Sequence, residues 1–67
     1  MNAQQILLTK NSIREYQSII VKMQADLANP RARPHKNAER VKAIAELNEV
    51  IGLALKRLFD AGVITLD

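Results

Sequence analysis

The chain has 67 residues, no cysteine, a single histidine and a net charge of +3. That length allows one domain with a modest core, so stability must come from close helix packing or from association. Disulfide frameworks and thiolate metal sites are excluded by composition. A membrane span is excluded because no segment approaches the roughly 20 apolar residues one needs.

The opening stretch MNAQQILLTK lacks the basic region and long apolar run of a secretory leader. Together with the absence of cysteine, this reads as a cytoplasmic chain. A first helix is predicted over residues 3–28. Ile6, Ile13, Ile20 and Leu27 recur every seven residues, Tyr16 and Met23 fill the intervening places, and Thr9 is the one polar member of the stripe. Asn2 followed by Gln5 has the spacing of a capping box. Ser12 with Glu15 offers a second possible start, but the seven-residue spacing passes through Ile6 without a break and favours one continuous helix. Asn29-Pro30 ends it, since the residue before proline is pushed out of the α region.

Residues 29–37, NPRARPHKN, form the only linker. The second helix is predicted over 38–61, with Asn37 as N-cap and Glu39 in the first turn. Its seam is read as Val41, Ile44, Ile51, Leu55 and Leu58, with Asn48 in the slot between Ile44 and Ile51. Such an asparagine either fixes register or sits at the edge of the seam. Beside this seam runs a further apolar row: Ala43, Leu47, Val50, Ala54 and Ala61. The combined arc, roughly 180°, is wider than one partner helix can cover. Gly62 is expected to stop the helix as a C′ glycine, with Val63 returning to Leu58 in a Schellman motif. The apolar tail VITL is expected to fold back over the hairpin end.

The predicted fold is therefore all-α: one domain, an antiparallel two-helix hairpin. A homodimeric four-helix bundle would cover the wide face of the second helix, with Leu47, Val50, Ala54 and Leu58 lining the dimer interface. The competing expectation is that a different protein covers the same face. In size and architecture the pattern is similar to the small helical-hairpin antagonists encoded by phages and to the co-chaperones of secretion systems; no motif carries the likeness.

Catalytic constellations are absent from the pattern. No Gly-rich phosphate loop is present, Ser12 and Ser18 have no histidine near them in sequence, and Glu46 and Glu49 fall on a charged helix face rather than in a core. No catalytic, cofactor or metal residues are assigned, and the chain is read as non-enzymatic. Charge is where the sequence is uneven. Residues 31–42 hold Arg31, Arg33, Lys36, Arg40 and Lys42 against Glu39 alone, a local +4, so the remainder nets −1. With His35, these cations form the candidate site for an anion or an acidic partner, at a helix N-terminus that itself favours anions. The plainer alternative is a solvated turn that aids solubility. Two functions follow: a dimeric hairpin that binds and modulates another protein as inhibitor or chaperone, or a nucleic-acid or nucleotide binder acting through the basic turn. For the second, Tyr16 and Phe59 are the only aromatics and both lie on helix faces, so phosphate contact without base stacking is the expected mode. A place in a larger particle is a third possibility.

Overall fold

The computed structural model describes residues 1–65 and is helical throughout its regular structure. Helix α1 spans Ala3–Ala28 and helix α2 spans Asn37–Asp60, with a single 3₁₀ turn at Pro34–Lys36 between them. At 1.5 Å per residue both helices are close to 40 Å long. The molecule measures 44 × 17 × 15 Å, so the two lie side by side and antiparallel.

Each helix end has a local cause. The Asn2 side chain accepts from the Gln5 N–H at 2.8 Å, and the Gln5 side chain accepts from the Asn2 N–H at 3.1 Å, completing the capping box. From there α1 runs unbroken through Ser12. Asn29 is extended (φ −99°, ψ 111°), as Pro30 requires, and closes the helix through its N–H to the Asp26 carbonyl. At the far end the Val63 N–H donates to the Leu58 carbonyl and the Gly62 N–H to the Phe59 carbonyl, each at 2.9 Å, with Gly62 at φ 83°. This is the expected Schellman motif, and Val63 packs half-buried against the core. Beyond it Ile64 is 81% exposed, and Leu66 of the tail lies outside the described residues.

The start of α2 differs from expectation. Asn37 is already helical (φ −63°, ψ −36°), and no side chain caps the helix. The 3₁₀ turn delivers the backbone into α2 with the Asn37 N–H bonded to the Pro34 carbonyl, so the extended N-cap geometry never arises.

The core consists of Ile13 and Ile20 from α1 with Ile51 and Leu58 from α2. Ile6, Tyr16, Ile44, Leu47, Ala54 and Val63 pack around it, half-buried. The buried row of α2 is therefore Ile44, Leu47, Ile51, Ala54 and Leu58. Val41 is 57% exposed, Leu55 is 40% exposed and Asn48 faces water, so the seam is turned from the predicted one. One facing helix covers a narrow strip, and the strip chosen keeps the three largest shared residues, Ile44, Ile51 and Leu58. Flanking them with Leu47 and Ala54 leaves the Asn48 amide hydrated. The alternative row would desolvate it without a fixed partner.

Ile13 is fully buried, so Ile13→Ala is expected to cost about 2–4 kcal/mol, comparable to the whole stability of a domain this small. The two glycines should respond oppositely. Gly62→Ala forces a β-carbon into a left-handed backbone and should cost about 1–2 kcal/mol. Gly52 sits mid-helix with nothing within 4 Å of an added methyl, so Gly52→Ala should stabilise by up to about 1 kcal/mol. Urea denaturation midpoints of the three variants check these signs.

Candidate interaction surfaces

The turn is built from its own polar atoms. Asn29 bends it: its Oδ1 accepts from the Arg31 N–H at 3.0 Å and its carbonyl from the Ala32 N–H at 3.1 Å. The Arg33 carbonyl accepts from the Lys36 N–H at 3.0 Å, which closes the 3₁₀ turn. Arg40 reaches back from the first turn of α2. One guanidinium nitrogen, Nη1, donates to the carbonyls of Ala32 and Arg33 and to Oδ1 of Asn37, the last at 2.9 Å. A cation in the first turn of a helix is opposed by the macrodipole. Here the opposing field is offset by the loop carbonyls of Ala32 and Arg33, the second of which also accepts from Lys36.

The six predicted partner residues thus divide. Arg31, Arg33, His35 and Lys36 are exposed at the tip of the turn. Lys36 also borders a shallow hollow with Met23, Glu39, Arg40 and Ala43, which places a carboxylate beside it. Arg40 is half-buried and its Nη1 is committed to holding the turn. Lys42 stands on the side of α2 away from α1, nine residues before buried Ile51 and so half a revolution from the core. The internal role of Arg40 was missed by sequence reasoning. Its unfavourable place on the helix dipole was the available signal. Arg33 is also notable for its backbone: φ 45°, ψ 73° is a left-handed conformation at a non-glycine residue.

The second surface is apolar. Among the described residues eleven large apolar side chains are exposed, against four that are buried. The accessible surface is 5173 Å² for a chain of 7.5 kDa. A compact monomer of that mass exposes about 4,200 Å². The difference, roughly 900 Å², accompanies the elongated shape of the hairpin, 44 × 17 × 15 Å. The two sides of the hairpin differ in composition. On one side α1 presents Leu8, Tyr16, Ile19 and Met23, and α2 presents Ala43, Leu47, Val50 and Ala54. Met23 meets Ala43 in one hollow there, and Leu8 and Thr9 meet Arg57 in another. On the other side α2 presents Val41, Asn48, Gly52, Leu55 and Phe59, and α1 presents Leu7 and Val21 among Lys10, Arg14, Gln17 and Gln24. The tail closes one end of that side, where Val63, Ile64 and Thr65 form a hollow with Leu55, Leu58 and Phe59.

Of the four residues expected at a dimer interface, Leu58 is 2% exposed and is spent within the hairpin, level with the C-terminal end of the core. Leu47 and Ala54 are half-buried, and Val50 remains 44% exposed. Leu53, on the face of α2 that also carries Lys42, Glu49 and Asp60, is 60% exposed. Among the described residues no three His, Cys, Asp or Glu side chains are grouped to hold a metal ion, and no helix is long and apolar enough to cross a membrane. Comparison of the chain with protein-family models, with curated proteins and with solved structures finds no match.

Arg40→Ala removes the donor to three acceptors and is expected to lower unfolding free energy by about 1–2 kcal/mol. Arg31→Ala, at an exposed side chain, should change it by less than about 0.5 kcal/mol. Thermal or urea unfolding of the two variants side by side separates the clamp from the exposed cations.

Proposed function

We propose that this chain is a non-enzymatic interaction protein: a helical hairpin that pairs with a second copy into a four-helix bundle and binds and modulates another protein, as inhibitor or chaperone. The observation that carries the reading is the set of eleven large apolar side chains left exposed against four buried. Exposed apolar surface on this scale favours association over solvation. Two turns, one per subunit, then stand apart from the paired helices. Their exposed Arg31, Arg33, His35 and Lys36 suit an acidic protein surface.

Arg33 favours a second reading, in which the turn meets phosphates of a nucleic acid or nucleotide. A left-handed arginine costs on the order of 1 kcal/mol that glycine at the same place would avoid. Keeping a cation there at that cost supports a role for its charge.

Sedimentation equilibrium of the full chain is expected to give about twice 7.5 kDa at micromolar concentration; a monomer mass would reject the dimer. The triple variant Arg31→Ala, Arg33→Ala, Lys36→Ala should keep that mass and lose the partner captured from the native host. A gel shift at low and high salt decides between partners. Retardation of nucleic acid that falls steeply with salt and disappears in the triple variant supports the second reading, and its absence supports the protein partner.

A further inference from the structure

We infer that Arg40 is the positioning residue of a phosphate-binding turn. Its guanidinium fixes the backbone from which Arg31, Arg33 and Lys36 meet the phosphates of a nucleic acid, and makes no phosphate contact itself. This rests on the second reading above and adds which cations make contact and which one holds them in place. Among the described residues, the side chains of Arg31, Arg33 and Lys36 are exposed and carry no hydrogen bond or ion pair, so they are open to a partner. The hollow that borders Lys36 is shallow and has Glu39 in its wall, which disfavours a single small anion there. Separate cations along an exposed turn suit the successive phosphates of a chain instead. Tyr16 and Phe59 are the only aromatics and neither lies on the turn, so the contact is to the backbone rather than to stacked bases.

Arg40 differs from these three. It is half-buried, and its Nη1 donates to the carbonyls of Ala32 and Arg33 and to Oδ1 of Asn37. The two carbonyls belong to the peptide units on either side of the Arg33 α-carbon, so holding both sets the direction in which the Arg33 side chain leaves the turn. The Arg33 carbonyl also accepts from the Lys36 N–H at 3.0 Å, which carries the same constraint to Lys36. Without the clamp the three contacts can still form, but only by ordering the turn at the moment of binding. Affinity then falls while the number of phosphates met stays the same.

Salt dependence separates contact from positioning, because each phosphate contact contributes about −0.9 to the slope of log K against log salt concentration. The full chain is titrated against a short DNA duplex of mixed sequence at several salt concentrations, with fluorescence anisotropy as the signal. Arg31→Ala, Arg33→Ala and Lys36→Ala are each expected to weaken binding and to flatten the slope by about 0.9 for every turn engaged. Arg40→Ala is made in the Gly52→Ala chain, to offset lost stability, and compared with that chain at equal helicity by circular dichroism. It is expected to weaken binding about 5- to 10-fold with the slope unchanged. Arg40→Lys keeps the charge on a stem one bond shorter, without the guanidinium fork, and should weaken binding by a similar factor; it alone decides if the alanine variant loses helicity. A flattened slope in Arg40→Ala, or original affinity in Arg40→Lys, would make Arg40 a contact and overturn the inference while leaving the phosphate-binding turn standing. Undiminished affinity in a fully helical Arg40→Ala chain would leave it a purely structural role and overturn the inference equally. A wild-type chain that fails to bind the duplex at low salt would overturn the reading on which the inference rests.

Discussion

A hairpin of two helices can shield only the strip along which they touch, and this geometric limit governs the rest of the molecule. Each helix is about 10 Å across, so a single facing neighbour covers one row of side chains and leaves the flanks wet. Here the row holds Ile13 and Ile20 against Ile51 and Leu58. The sequence, however, supplies enough large apolar residues for a second row. That surplus is divided between both helices and both sides of α1, and it is the physical reason we propose that the hairpin is half of a bundle.

Within that limit, local interactions do much of the specifying. The capping box at Asn2, the proline after Asn29 and the Schellman motif at Gly62 fix where the helices begin and end without help from the core. The turn is equally self-contained. Asn29 bends it, the 3₁₀ segment feeds α2, and Arg40 ties its carbonyls to the helix. A turn held this way presents Arg31, Arg33 and His35 on a fixed backbone instead of a floppy loop, which lowers the ordering cost of binding whatever they meet.

Both helices and both α1 boundaries were legible in the sequence because their signals are local: a seven-residue apolar period, a side chain that caps, a proline that stops. The rotation of α2 was less legible. Its apolar arc contains two overlapping seams, Val41–Asn48–Leu55 and Leu47–Ala54, on either side of Ile44, Ile51 and Leu58. Periodicity alone ranks them equally. The hydration of Asn48 and the close approach allowed by Ala54 decide between them, and those are properties of the packed pair. Leu58, which spacing places in the seam and which is also counted among the expected interface residues, is buried in the core. The internal role of Arg40 was not legible because two of its three acceptors lie seven and eight residues earlier, in a loop whose path no local pattern encodes.

We propose that association, more than the four-residue core, holds the hairpin together. The most direct test is the dependence of thermal unfolding on protein concentration. If helix pairing between chains contributes the stability, the melting midpoint rises steadily when concentration is raised by about 100-fold, as mass action requires. A midpoint that stays constant over that range, with full helicity at the lowest concentration, would contradict the account.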